Sequence, residues 1–185
     1  MNYWFSADCH FGHESIITYC KRPFKTLDEM NNVIIKRWNE RVKKDDWVFH
    51  LGDFCLRNTS DKDIKRYKAD YYLKQLNGHI ILLNGSHDSR NMVKTCIKGI
   101  DIRLGGYNVH LVHDPRDIKG GFDFNLVGHI HEKWKVKEFS VEVLNALLDK
   151  VVCINVGMDV WNFYPISIVE IIKIYHSFEK KKVQE

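Results

Sequence analysis

Five short apolar runs in this chain each stop at a glycine, an aspartate or a histidine, and this pattern constrains the fold more than any other feature. Tyr3 to Ala7 stops at Asp8, Trp47 to Leu51 at Gly52-Asp53, and Ile80 to Leu83 at Asn84-Gly85. Val109 to Val112 stops at His113, and Phe124 to Val127 at Gly128-His129. Runs of this length, rich in Val, Ile and Phe, read as buried strands. Helical spacing fills much of the sequence between them, so the chain reads as a layered α/β protein. In such folds, ligands bind beyond the carboxyl ends of the strands. Separate strands would thus deliver polar groups to one edge.

The intervening elements carry local signals. Thr26-Leu-Asp-Glu29 has the pattern of a capping box. Leu27, Met30, Ile34 and Trp38 follow at helical spacing and predict a helix to about Val42. Ser60 would cap a second helix carrying Ile64, Tyr67, Tyr71 and Leu76. Gly105-Gly106 between two apolar runs predicts a hairpin. Val151 to Val156 reads as a late strand. Ser167 to Glu170 is a second capping-box pattern, predicting a helix through Tyr175. Lysines alternating around Trp134 predict the exposed face of an edge strand. There is no internal repeat or long linker, so the expected organisation is one domain over residues 1–178 with a charged tail at 179–185.

Composition excludes several classes. With 44% hydrophobic and 28% charged residues in 185, the chain is expected to be globular rather than disordered. No apolar run approaches the roughly 20 residues that span a bilayer. The N-terminus lacks a basic leader followed by an apolar stretch, so no membrane partner and a cytoplasmic location are the expectations. The net charge of +4 suits an anionic substrate without requiring nucleic acid. Five cysteines, with no C-x-x-C, argue against a disulfide framework or a zinc ribbon. Cys9 and Cys55 stand beside candidate ligands and are secondary candidates as soft ligands.

Each polar cluster is ordinary alone. Asp8-Cys-His10 places a carboxylate and an imidazole on one side of an extended chain, where they can grip one cation or simply cap a strand. Asp53 after Gly52 can bridge two cations through its two oxygens, or sit in a turn. Gly85-Ser-His-Asp88 offers an imidazole suited to proton donation near neutral pH. Asp88 there reads equally as the N-cap of a helix through Ile97. His113 ends a strand, and His129-Ile-His131 is a good chelator if extended. His13, after a glycine near Asp8, is a further candidate metal or substrate contact. Arg22, Arg57, Arg90 and Arg116 read as surface residues that can reach a phosphate. His50, His79, His110 and His176 read as structural.

Taken in order, D-x-H, G-D, G-x-H-D, a strand-end His and G-H-x-H resemble the calcineurin-like metallophosphoesterases. The motifs run from Asp8 to His131. The segments His10-Phe-Gly-His13, Tyr19 to Phe24 and Asn155 to Asn162 are similar to those of a small bacterial and phage-type subgroup. The resemblance implies a four-layer αββα sandwich with two mixed β-sheets. It implies two divalent transition-metal ions (Mn, Fe, Zn or Ni). Asp8, His10 and His131 would hold the first, and His113 and His129 the second, with Asp53 bridging. His87 would be the catalytic acid or would stabilise the transferring phosphoryl group, with Asp88 beside it. The family usually places Asn before the catalytic His as a ligand. Ser86 stands here, and its shorter hydroxyl implies a weaker second site.

The implied activity is hydrolysis of phosphomonoesters or phosphodiesters, with small nucleotide-like diesters expected. Cations roughly 3.5–4 Å apart would arm a shared hydroxide. Two alternatives stand beside it. One is a nuclease on polymeric DNA or RNA, hinted at by Trp134 amid Lys133, Lys135 and Lys137. The other is a non-catalytic interaction scaffold, to which Ser86 points.

Overall fold

A computed structural model describes residues 1–56, 68–88, 93, 95–143 and 147–182. Two mixed sheets lie face to face. The first has the order β3-β2-β1-β9, from β1 (Tyr3–Ser6), β2 (Trp47–His50), β3 (His79–Leu82) and β9 (Ile166–Ser167). The second has the order β4-β5-β6-β8-β7, from β4 (Gly99–Leu104), β5 (Tyr107–Val112), β6 (Phe124–Val127), β7 (Val136–Val143) and β8 (Leu147–Asn155). In each sheet three strands run parallel: β1, β2 and β3 in one, β5, β6 and β8 in the other. Parallel strands put their carboxyl ends at one edge, which is how residues far apart in sequence reach one place.

Alternation explains the layering. Phe5, Phe49 and Leu51 point inward from the first sheet and meet Val109, Leu111, Phe124, Leu126, Val152 and Ile154 of the second in one buried cluster. The other face of the first sheet packs under helices α1 (Ser15–Tyr19), α2 (Leu27–Arg41) and α3 (Ala69–Leu73), with Met30, Ile34 and Trp38 fully buried. Helix α4 (Ile168–Lys182) buries Ile171 in the inter-sheet cluster. The outer face of the second sheet carries a smaller cluster of Val112, Val127, Val151 and Cys153 beneath Ile118 and Trp134. The fold is therefore the α/β sandwich of two mixed sheets that the resemblance implied. No helix among the described residues is long and apolar enough to cross a membrane.

The local signals translate directly. Thr26 accepts from the Glu29 amide at 3.1 Å, and Glu29 reaches back to the Lys25 amide at 2.7 Å. Ser167 and Glu170 cap reciprocally, at 3.3 Å and 2.9 Å. Helix α4 runs on through Lys182, past the expected Tyr175. Gly105 and Gly106 both take positive φ, 62° and 89°, closing the β4–β5 hairpin as a two-residue turn should. β7 is the edge strand signalled by the lysines. Trp134 is partly buried, its ring packing on Phe139 at 5.7 Å. The helix expected from Ser60 lies largely outside the described residues, with 69–73 helical. Of the helix expected from Asp88 to Ile97, residues 95–97 are not helical and 89–92 and 94 lie outside the described residues.

Candidate metal centre

At the common strand edge the candidate ligands form two groups. Asp8, His10 and His131 offer ligand atoms that all lie within 4.8 Å of one another, and so do Asp53, His113 and His129. Asp53 also stands between the groups. Its Oδ2 is 3.7 Å from His10 Nε2, 3.4 Å from His113 Nε2 and 3.9 Å from His87 Nε2.

The chain reaches this arrangement by kinking, not by staying extended. Asp8, His10, Asp53, His129 and His131 all have positive φ, between 47° and 70°. For residues other than glycine this conformation is strained by about 1–3 kcal/mol each, and such strain concentrates at functional sites. The expectation of an extended D-x-H and H-x-H is thus corrected. The side chains converge because the chain enters left-handed turns just beyond β1, β2 and β6, while His113 follows β5 without one. Cross-links hold these turns. The His129 amide donates to both Asp8 oxygens, at 3.1 and 2.9 Å. The His10 amide donates to the Asp53 carbonyl at 3.0 Å.

The donor set fits cations. His10 Nε2 is buried with no hydrogen-bond partner among the described residues, an orphan that such interiors rarely tolerate. His113 Nδ1 donates to the Leu51 carbonyl at 2.7 Å, which turns Nε2 toward Asp53 as the ligating atom. Burial pushes the Asp8 carboxyl up to about 6 and the His10 imidazole well below its ordinary value. Burial works against charge on His131 and His113 too, but is outweighed. Asp159 and Asp8 bring His131 up to about 10, and Asp53 and Asp8 bring His113 up to about 9. Burial likewise opposes charge on Asp53, but the His113 and His10 imidazoles and the His87 amide hold it far below the carboxylate range. Carboxylates and imidazoles this closely packed want shared positive charge.

Ser86 Oγ lies 3.3 Å from His113 Nε2 and 3.2 Å from His129 Nδ1, so the hydroxyl reaches the second group. His87 is half-exposed, with its amide donating to Asp53 Oδ1 at 2.8 Å. Asp88 takes a different place from the one its pairing with His87 suggested. It is fully buried and accepts from three amides: Asp53 at 2.7 Å, Phe54 at 3.0 Å and Gly85 at 2.8 Å. It ties two strand ends together and is shut off from any substrate. His13 is buried, its Nδ1 3.2 Å from His10 Nδ1. Cys9 Sγ points away from both groups to His50 Nε2, 3.2 Å distant, and Cys55 is buried outside them.

Two residues escaped the sequence reading. Arg22, expected at the surface, is buried and pairs with Asp159 at 2.8 Å. Asp159 Oδ2 is 2.9 Å from His131 Nδ1. The motif segment from Asn155 to Asn162 contains Asp159, but nothing in it marked that residue as a partner of His131. Arg116 is exposed as expected and paired with Asp114, while Arg57 and Arg90 lie outside the described residues.

Two mixed sheets with paired carboxylate–imidazole groups at one strand edge define an α/β sandwich protein with candidate metal-binding groups. The chain belongs to the family of the uncharacterized protein MJ1445 of Methanocaldococcus jannaschii, to which it is 35% identical over 96% of its own length and 91% of the relative's. No family model matches it. Its fold is shared with the Aquifex aeolicus protein of unknown function AQ665, at TM-score 0.63 and 24% identity, over 94% of this chain and 98% of that one. A fainter likeness, TM-score 0.40 at 16% identity over 85% and 84% of the two chains, is to a structure of a novel archaeal phosphodiesterase.

Proposed function

We propose that this chain is a metal-dependent phosphoric ester hydrolase acting on small diesters. The observation that carries the reading is the position of Asp53, whose Oδ2 lies within 4 Å of imidazole nitrogens from both donor groups. One carboxylate shared by two ligand sets can bring two cations close enough to act on one phosphoryl group. Asp8, His10 and His131 would hold one cation, His113 and His129 the other, and Asp53 both. When bound, such cations supply Lewis acidity that lowers the pKa of water and neutralises charge on phosphoryl oxygens.

The remaining work falls to side chains. His87 stands at the open side of the centre, where a half-exposed imidazole can hold a proton at a ring nitrogen and pass it to a leaving oxygen. The hydrogen bond from its backbone amide to Asp53 sets the loop that aims it. Asp88 keeps that loop against Asp53 by accepting hydrogen bonds from three backbone amides. Small diesters are favoured over polymers because the segment once suggestive of nucleic acid is otherwise engaged. Lys135 lies 4.6 Å over Trp161 and Lys137 5.2 Å over Phe139.

The test is hydrolysis of bis(p-nitrophenyl) phosphate by chelator-stripped protein with Mn²⁺ added back. Activity should appear with the metal, vanish on chelation, and be lost in Asp53→Asn. A rate indifferent to chelation would overturn the proposal.

A further inference from the structure

We infer that Asp159 and Arg22 are positioning residues for the first donor group, and that the group loses its grip on a cation when either is changed. This rests on the reading of that group as a cation site.

Cys20, His131 and Asp159 also bring donor atoms within 4.8 Å of one another. The hydrogen bonding decides against a third cation there. Both oxygens of Asp159 are taken: Oδ1 accepts from Arg22 Nε at 2.8 Å, and Oδ2 accepts from Arg22 Nη2 at 2.9 Å and lies 2.9 Å from His131 Nδ1. A buried carboxylate engaged in this way orients its neighbours. With Nδ1 turned to Asp159, the other ring nitrogen of His131 is the one left to ligate beside Asp8 and His10. A ligating histidine typically donates its second ring N–H to such a carboxylate. The same turn holds the backbone of His131, because Asn155 Nδ2 donates to its carbonyl at 2.8 Å. His131 is thus fixed at both ends, by the last residue of β8 and by Asp159 beyond it.

Arg22 extends the hold to the other two ligands. Its Nη2 donates to the Asp8 carbonyl at 2.7 Å and its Nη1 to the Cys9 carbonyl at 3.0 Å. Successive carbonyls of an extended strand point to opposite sides. Here two in a row face one guanidinium, which the left-handed turns at Asp8 and His10 permit. Nη1 also contacts Met30 Sδ at 3.4 Å, so all five N–H donors have a partner. Only a planar fork can serve a carboxylate on one side and two carbonyls on another; a lysine cannot. One buried ion pair therefore clamps Asp8, His10 and His131 together, from residues 137 positions apart.

The test measures Zn²⁺ binding to chelator-stripped protein by competition with a chromogenic chelator, resolving two equivalents. Asp159→Asn keeps the shape but not the charge, and Arg22→Lys keeps the charge but not the fork. In each, one equivalent should bind roughly 10–100-fold more weakly, with the other within about twofold of wild type. Two wild-type equivalents in both variants would overturn the inference. So would equal weakening of both equivalents, since that is the mark of general damage. If wild-type protein binds no Zn²⁺, the cation reading of the site fails, and this inference with it.

Discussion

Replacing Gly85 with alanine should disable the centre without replacing a ligand. A Cβ built there would lie 2.2 Å from the Asp53 amide nitrogen and 2.3 Å from Asp53 Oδ1. The first of these is backbone, so no rotamer change relieves it. The Gly85 and Asp53 amides also share one acceptor, Asp88 Oδ2, at 2.8 and 2.7 Å. The two strand ends must separate by on the order of 1 Å, and a misplacement of that size is worth about 10²-fold in rate. Overpacking of this kind costs about 1–3 kcal/mol, which for a chain of this size lowers Tm by about 2–4 °C per kcal/mol. Gly85→Ala should therefore unfold several degrees early, hydrolyse the diester about 100-fold more slowly, and bind both Zn²⁺ equivalents more weakly because Asp53 serves both. Gly106→Ala is the control. Nothing lies within 4 Å of its Cβ, so only its φ of +89° is strained, and activity should be unchanged. Wild-type turnover and Zn²⁺ affinity in Gly85→Ala would refute the reasoning.

Three further outcomes are expected. His87→Ala should cut turnover by roughly 10²-fold while elemental analysis finds the metal content kept; near-normal turnover would remove it from the mechanism. Ser86→Asn should tighten the weaker Zn²⁺ equivalent, since the hydroxyl already sits between His113 and His129 and an amide oxygen is the better ligand; an unchanged binding curve would count against that account. His113 and His131 have folded values of about 9 and 10 against an ordinary 6.5, so the stabilisation they confer is full below pH 6.5 and lost as pH rises through 9 to 10. Stripped protein should accordingly lose Tm over that window, and Zn²⁺ binding at pH 7 should release protons. A flat Tm from pH 7 to 10 would contradict this.

The sequence was informative wherever the signal was local. Capping boxes at Thr26 and Ser167, the Gly105-Gly106 turn and the apolar run from Phe124 to Val127 each depend on a few adjacent residues, and each appears where expected. The six candidate ligands were legible because each lies within a few residues of a strand end. What the sequence hid was long-range or conformational. No spacing links Arg22 to Asp159, and an arginine in a polar stretch reads as solvated until its five partners are seen. Periodicity also cannot announce that Asp8 and His10 leave the strand in left-handed turns, because the constraint comes from Arg22 and from the opposite sheet. Asp88 read as a helix cap since a buried carboxylate tying two loops has the same local sequence as an N-cap.

Anomalous diffraction from crystals soaked in Mn²⁺ tests the central claim most directly. Two peaks should flank the Asp53 carboxylate, one contacted by Asp8, His10 and His131 and the other by His113 and His129. A map with no peak at that strand edge, under saturating Mn²⁺, would contradict the account.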